Sequence, residues 1–250
     1  MARYQVTLAY DGTRFYGFQR QTARRTVQGV VEEALRELGW QEASILAAGR
    51  TDTGVHASGQ VIAFDLDWAH GAETLQKALN ARLPDDVSAL DVRAAHASFH
   101  PRYDARSRTY RYRLFCAPVR HPLRERYAWR VWPPVELPLL QKGADYLPGK
   151  HDFAAFGRSP VDGGSTTRRI FEAAWSAEGP YLTFTLRGDA FLYRMVRRTV
   201  SLLVRIGQGS LPPATVQRRL APPHEPVQGL APARGLTLVH VAYASEGAET

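Results

Sequence analysis

A short stretch of the sequence, residues 49–57, places charges of both signs between two glycines. Arg50 precedes Asp52 by two residues, and His56 follows four residues later. A lone ionised carboxylate is suited to attack on, or stabilisation of, electron-poor carbon such as C1′ of a sugar. A neighbouring arginine favours the ionised form of such a carboxylate. The residue types in this stretch therefore predict a carboxylate site for glycosidic chemistry.

Two plainer interpretations of the same stretch must be weighed. Asp52 and Thr53 can hydrogen-bond their own backbone ahead of Gly54, which would make residues 49–57 a surface turn without chemistry. The triplet Asp52-Thr53-Gly54 also resembles the catalytic triplet of aspartic proteases. That class needs two carboxylates sharing one proton, and a nearby arginine favours ionisation of both. The protease interpretation is therefore rejected, whereas the surface turn stays open.

The composition of the chain narrows the class of partner. Its 250 residues carry a formal net charge of +8, and the 32 basic residues include only three lysines. Arginine forms planar forks to phosphates and stacks on bases, so this balance favours a nucleic-acid partner. A G+C-rich genome or a hot habitat would also enrich arginine. With one cysteine, Cys116, and no apolar run of membrane-span length, we expect a cytoplasmic protein that is not bound to a membrane and has no cysteine-based metal site.

The elements that must position Asp52 are visible as periodic patterns. Residues 3–10 alternate with period two and predict a strand, and residues 60–66 predict another strand directly after the charged stretch. Thr26 is a plausible N-cap for a helix reaching residue 38, and a second helix covers residues 73–83. Residues 43–48, before the charged stretch, form a short apolar run that predicts a strand, and a further apolar run lies at residues 87–94. This order predicts an α+β domain, residues 1–98, with a mixed, mainly antiparallel sheet.

Basic and aromatic residues crowd the start of the second predicted domain, residues 99–250. If residues 106–115 form a strand, one face carries Arg106, Arg108, Tyr110, Tyr112 and Leu114, and the other carries Arg111 and Arg113. This pattern suits RNA, since arginines meet phosphates while tyrosines offer stacking faces worth about 1 to 3 kcal/mol per base. The alternative is an exposed strand whose arginines only keep the protein soluble.

Three further patterns complete the second domain. Residues 191–206 predict a mostly buried helix with Arg197 near the edge of its apolar face, where the charge could reach a cleft. A helix at residues 137–147 and strands at residues 167–176, 181–187 and 235–243 are also predicted. We expect the glycine-containing loop of residues 157–165 to be mobile until a ligand binds it.

Five segments of the chain, in order, strongly resemble the TruA family of tRNA pseudouridine synthases. They are residues 10–21, 49–57, 107–112, 195–197 and 231–236. The resemblance implies the pseudouridine synthase fold, in which two α/β subdomains share a mixed, mainly antiparallel sheet with flanking helices and a central cleft. It also implies isomerisation of uridine to pseudouridine at positions 38, 39 and 40 of tRNA, in the anticodon arm, by a homodimer without metal or small-molecule cofactor. The remaining alternative is a catalytically inactive RNA-binding protein or tRNA chaperone.

The resemblance assigns roles to particular residues of this chain. Asp52 matches the essential aspartate, which either attacks C1′ or abstracts a ribose proton. Tyr110 matches the tyrosine that packs on the target uracil, and Arg50 and Arg197 match arginines near the aspartate or the RNA. The residues expected to hold tRNA are the aromatic and basic side chains Phe99, His100, Arg102, Tyr103, Arg106, Arg108, Arg158 and Arg168.

Overall fold

The computed structural model describes residues 1–244. Over this range the fold is α+β, with a large, mainly antiparallel sheet and flanking helices, which confirms the predicted fold class. The chain divides into two compact units: Met1–Arg106 together with the segment that begins at Leu238, and Ser107–Thr237. A division into two folding domains, residues 1–98 and 99–250, stays a prediction.

The first unit is built around three long strands and two helices. Strands β1 and β3 pair antiparallel with Val6 opposite Ile62, and β4 pairs antiparallel with the other edge of β1. The short strand β2 pairs with β3. The elements are β1 (Ala2–Tyr10), α1 (Val27–Arg36), β2 (Leu46–Ala47), β3 (His56–Leu66), α2 (Ala72–Asn80) and β4 (Val87–Ala95).

Burial explains why these residues form these elements. Alternate residues of β1, including Val6 and Leu8, are fully buried, as period-two alternation predicts. Almost every residue of β3 is buried, so this strand is covered on both faces. The Thr26 hydroxyl accepts a hydrogen bond from the Gly29 N–H and caps α1 as expected.

The second unit contains the remaining helices and most of the remaining strands. Its sheet has the order β5–β9–β8–β7, antiparallel throughout, with β6 added parallel to β5. The elements of this unit are β5 (Ala105–Cys116), α3 (Pro122–Glu125), β6 (Trp129–Val131), α4 (Leu137–Ala144), β7 (Gly149–Asp152), β8 (Thr167–Glu178), β9 (Tyr181–Gly188), α5 (Met195–Gly207) and α6 (Thr215–Leu220), and they are followed by β10 (Leu236–Tyr243).

The last strand, β10, returns to the first unit and pairs beside β3. The two strands approach closely at Gly59, where a Cβ atom would lie 2.2 Å from the carbonyl oxygen of Val239. Gly59 is therefore needed for the close approach of two backbones. The first unit is consequently made from two segments that lie far apart in the sequence.

Three predicted elements differ from those observed. The helix expected from residue 191 begins at Met195, because Arg194 adopts a left-handed backbone conformation with φ 63°. The apolar run at residues 43–48 forms only the two-residue strand β2. Strand β3 begins at His56, so the end of the charged stretch belongs to the strand. Within residues 1–244, no helix combines the length and apolarity that a membrane crossing requires.

Candidate active site

Asp52 lies in the loop that connects β2 to β3. Its carbonyl oxygen accepts a hydrogen bond from the Val55 N–H at 3.1 Å, and Gly54 has φ 77°. The loop is therefore a tight turn that requires glycine at its third position. The side chain of Asp52 is half-buried, whereas Arg50 is exposed. The turn geometry and a catalytic role are compatible, because the turn fixes the backbone that carries the Asp52 side chain.

The segment of residues 10–18 supports the Asp52 loop from one side. The hydroxyl groups of Tyr10 and Thr51 lie 2.8 Å apart and are both buried. The Phe18 N–H donates to the Thr51 carbonyl at 3.0 Å, and the Gly54 N–H donates to the Phe15 carbonyl at 3.3 Å. These bonds hold the backbone on both sides of Asp52.

Two glycines allow this support to come close. A Cβ atom at Gly12 would lie 2.0 Å from the Val55 carbonyl oxygen, and one at Gly17 would lie 2.9 Å from that of Thr51. Gly17 also has φ 89°, a conformation that side chains other than glycine rarely adopt. The same Cβ would lie 3.4 Å from the carbonyl carbon of Asp52. Gly17 is thus packed against the peptide of the predicted catalytic residue.

The His56 side chain connects the start of β3 to the turn that follows β1. Its ring is buried, and Nδ1 accepts a hydrogen bond from the Gly12 N–H at 3.0 Å. The carboxylate of Asp11, which also accepts bonds from the N–H and the hydroxyl of Thr13, lies 3.1 Å from the same nitrogen. His56 therefore positions the loop from its far end.

Tyr110 and Arg197 belong to the second unit. Tyr110 lies on β5 opposite Leu186, is 9% exposed, and meets the edge of the Phe191 ring with the centroids 5.1 Å apart. Arg197, on α5, is half-buried and donates from Nε to the Ala231 carbonyl at 2.8 Å. The Ala231 N–H in turn donates to the Arg197 carbonyl at 3.2 Å. These two bonds fix Arg197 to the backbone of Ala231.

Tyr112, on β5, differs from the prediction that the tyrosines of this strand offer stacking faces to RNA bases. It is fully buried, and its hydroxyl donates to the Pro232 carbonyl at 2.8 Å. Burial raises the pKa of this hydroxyl strongly, although the positive charges of Arg197 and Arg234 oppose the shift. A Cβ atom at Gly235 would lie 2.6 Å from the Tyr112 ring. Tyr112 offers no stacking face, whereas the arginines on the other face of β5 are exposed.

The predicted tRNA-binding residues at positions 99–103 lie in a compact turn, in which Arg102 and Tyr103 are exposed and His100 is half-buried. Phe99 is half-buried and contacts the ring of Tyr243, and its carbonyl accepts a bond from Arg3 at 2.9 Å. The ring of His100 lies 4.2 Å from that of Tyr103, which is 74% exposed. The guanidinium of Arg102 lies 5.7 Å from the Tyr103 ring. The Tyr103 ring and the Arg102 side chain are therefore both accessible to solvent.

The other four predicted tRNA-binding residues differ in their freedom to reach RNA. Arg106 and Arg158 are exposed, whereas Arg108 donates to the Asp189 carbonyl at 2.8 Å. Arg168 is half-buried and donates to the carbonyls of Ser165 and Thr167. Burial lowers the pKa of its guanidinium. Arg168 is therefore partly occupied in fixing its own backbone.

The supporting residues around Asp52 and Arg197 had no role in the sequence-based prediction. Residues 10–21 and 231–236 were recognised only as segments of family resemblance. Their contacts identify them as the supports of the Asp52 loop and of Arg197. The glycines of both segments were the available sequence signal for these contacts, because glycine allows two backbones to approach closely.

Metal binding has no support among the described residues. Residues 1–244 contain no group of three or more histidines, cysteines and carboxylates that could hold an ion. His96 and His100 are four residues apart, a spacing that suits a metal pair only on a helix. They lie in a turn, where their Nδ1 atoms bond Ser98 and the Arg102 N–H.

Comparison with known proteins finds similar sequences along almost the whole chain. A family model described as tRNA pseudouridine synthase matches residues 7–104 and 144–244, ranges that include Asp52 and Arg197. The tRNA pseudouridine synthase A of Geobacillus kaustophilus is 40% identical over 248 residues, covering 98% of this chain and 95% of the relative. The protein of the same name from Brevibacillus brevis is 39% identical, covering 97% and 100%. That from Moorella thermoacetica is 40% identical, covering 96% and 98%.

Proposed function

The chain belongs to the tRNA pseudouridine synthase family, and on that premise we propose that it isomerises uridine in tRNA through the carboxylate of Asp52. The substrate positions that we propose are 38, 39 and 40, in the anticodon arm. The observation that carries the assignment to Asp52 is its place in a loop whose backbone is fixed on both sides by buried contacts. Such fixation is what a catalytic carboxylate requires.

The reaction rearranges bonds without net oxidation or reduction. The bond between N1 of uracil and C1′ of ribose breaks, a bond between C5 and C1′ forms, the C5 hydrogen leaves and N1 gains a proton. Asp52 either attacks C1′ as a nucleophile or takes a proton from the ribose. Both routes use an ionised carboxylate beside the sugar.

The remaining proposed residues act on the base and on the RNA strand. Tyr110 packs on the target uracil and assists removal of the C5 proton. Arg50 and Arg197 contribute positive charge near the carboxylate or the phosphates. The bonds between Arg197 and Ala231 support this role, because they restrict where the guanidinium can lie.

The target base must leave the stack before the carboxylate can reach its sugar. Unstacking costs a few kcal/mol, and contacts with the strand offset that cost. The exposed ring of Tyr103, with Arg102 beside it, is suited to a base and a phosphate. We include Phe99, His100, Arg106, Arg108, Arg158 and Arg168 in the tRNA-binding surface, with the largest contribution expected from the exposed members.

The test is release of tritium from C5-labelled uridine in an anticodon-arm tRNA. Wild-type protein releases tritium, whereas Asp52→Asn binds the same tRNA with unchanged affinity and releases none. Equal release by both proteins would remove Asp52 from the mechanism. Tight binding of tRNA by wild type with no release would instead establish an RNA-binding protein or chaperone.

Two properties of the proposal go beyond the reaction itself. We expect a homodimer whose subunits together form the RNA-binding surface, and sedimentation of the purified protein at several concentrations measures this. A cytoplasmic location fits a tRNA substrate and a single free cysteine, Cys116. Fractionation of cells carrying a tagged copy checks the location.

A further inference from the structure

A hairpin of residues 16–25 lies directly beside the Asp52 loop. The Tyr16 N–H donates to the Arg25 carbonyl at 2.9 Å, and Gln21 pairs with Arg24 across the turn. The Gln21 side chain donates to the Tyr16 carbonyl at 2.8 Å. Ala23 completes the turn with φ 57°, an uncommon conformation for alanine. These bonds give the hairpin a defined shape.

Tyr16 and Arg24 form an exposed pair on this hairpin. The ring of Tyr16 is 46% exposed, and the carbon at the centre of the Arg24 guanidinium lies 4.5 Å from its centroid. An arginine held against a ring keeps the N–H donors around its edge available for a phosphate. The neighbouring residue Gly17 packs against the peptide of Asp52. The pair therefore lies next to the predicted site of chemistry.

The adjacent arginine, Arg25, has a different environment. Its guanidinium makes two bonds to the Asp86 carboxylate, at 2.8 and 2.7 Å, and lies 4.1 Å from the Phe15 ring. The bond to Asp86 raises the pKa of Arg25 and lowers that of Asp86. Arg24 makes no such ion pair with any carboxylate of residues 1–244. Asp86 thus compensates the charge of Arg25, whereas no carboxylate of residues 1–244 forms an ion pair with the neighbouring Arg24.

We propose that Tyr16 and Arg24 form a phosphate-binding subsite for the tRNA strand next to the target uridine. Arg24 donates to a phosphate oxygen, and Tyr16 holds the guanidinium in position. Both are positioning residues, and neither takes part in bond breaking. The inference rests on the proposed function for the identity of the RNA, whereas the phosphate contact itself depends only on the hairpin.

The salt dependence of tRNA binding tests the subsite. Log affinity falls as log salt rises, and each lost phosphate contact makes this negative slope less steep by about 0.7 to 0.9. The slope is measured between about 50 and 200 mM KCl. We expect Arg24→Ala to show this change and to bind unmodified tRNA roughly tenfold more weakly at the lower salt concentration. Arg93→Ala, an exposed arginine on the edge strand β4, is the matched control and leaves the slope unchanged.

Variants of Tyr16 separate a positioned phosphate contact from general attraction. Tyr16→Leu weakens tRNA binding by about two- to fivefold, because the guanidinium loses its aromatic support, and Tyr16→Phe retains wild-type affinity. The double variant Tyr16→Leu with Arg24→Ala binds as weakly as Arg24→Ala alone. Additive effects in the double variant, or equal slopes for Arg24→Ala and Arg93→Ala, would overturn the subsite.

The failure of this inference is distinguishable from failure of the proposed function. Unchanged salt slopes together with tritium release that depends on Asp52 would reject the subsite alone. A reduced slope for Arg24→Ala in a protein that releases no tritium would reject the reaction and retain the subsite. Thermal unfolding of each variant confirms that the folded protein is being compared.

Discussion

Asp52, which has Arg50 two residues before it in the sequence, and Glu125 are two carboxylates that the chain holds in different ways. Glu125 lies in the second unit, is 7% exposed and accepts a hydrogen bond from the His121 N–H at 3.1 Å. Three guanidinium groups lie within 3.6 Å of its oxygens, those of Arg120, Arg130 and Arg234. Burial opposes ionisation, but these neighbours outweigh it and lower the pKa of the carboxyl group.

The loop around Asp52 is held through its backbone. Its supports are the carbonyl and N–H bonds from residues 15 and 18, the hydroxyl contact of Tyr10 with Thr51, and the close approach of Gly17. The side chain is half-buried rather than enclosed. A carboxylate surrounded by arginines therefore serves the fold at Glu125, whereas a fixed backbone with a partly accessible side chain marks the candidate catalytic group.

The largest expected effect is the loss of turnover on changing Asp52. We expect Asp52→Asn to reduce the rate of pseudouridine formation by at least about 10⁴-fold, because a reacting group is lost. Its midpoint of thermal unfolding remains within about 3 °C of wild type, as for a side chain outside the core. Single-turnover kinetics and calorimetry measure the two effects. A large loss of stability would show that Asp52, like Glu125, serves the fold.

The second effect concerns the backbone support of the Asp52 loop. Gly17→Ala reduces kcat/KM by about 10²-fold, because its Cβ displaces the peptide of the catalytic residue. Gly39→Ala is the matched control: Gly39 has φ 92°, but a Cβ there has no neighbour within 4 Å. Both changes cost about 1 to 2 kcal/mol of stability through backbone strain. Equal activity of the two variants would disprove the support assigned to Gly17.

A smaller effect, on stability alone, is expected at Glu125. Glu125→Gln removes the charge that the three arginines share and therefore lowers the free energy of unfolding. The arginines are partly exposed, which keeps the loss below that of a fully buried pair. Denaturant unfolding measures the change, and turnover at a permissive temperature stays near wild type. A loss of turnover in folded variant protein would contradict the structural assignment.

The smallest expected effect is the pH dependence of the difference in unfolding free energy between wild type and Glu125→Gln. A carboxyl group with a lowered pKa stabilises the folded state above its unfolded pKa, and this contribution is lost as pH falls through the folded value. For Glu125 the ordinary value is 4.5. The gap in unfolding free energy between wild type and Glu125→Gln therefore narrows as pH falls from about 5 to 3. Other lowered carboxyl groups, such as Asp65 and Asp86, are present in both proteins and cancel. A constant gap would contradict the assignment of the shift to Glu125.

Most of the secondary structure followed from the sequence because its determinants are local. Strand β1 was predicted from alternation, which directly reflects the burial of one face. Helix α1 was predicted from its cap at Thr26. The start of α5 was missed because it is set by a distant contact: the Tyr193 N–H donates to the Arg158 carbonyl, and Arg194 then turns through a left-handed conformation. No local pattern contains that information.

The candidate site was predictable only in part, for the same reason. Asp52 could be found from its residue type, its glycine neighbours and the family resemblance. Its support by Tyr10 could not, since the hydroxyl contact joins residues 41 positions apart. The opposite environments of Arg24 and Arg25 also require the fold, because the compensating Asp86 is 61 positions from Arg25. Residue types therefore predict the chemistry, whereas the contacts that would position it depend on the tertiary structure.

The return of β10 to the first unit has a consequence for the order in which the protein is made. Strand β3, which leads out of the Asp52 loop, has β10 as one of its neighbours, and the two meet backbone to backbone at Gly59. A ribosome synthesises β3 well before it reaches Leu238. Throughout that interval one edge of β3 lacks its partner, and a nascent chain carries Asp52 in an incomplete sheet. The unit that carries Asp52 is therefore complete only after β10 has been synthesised.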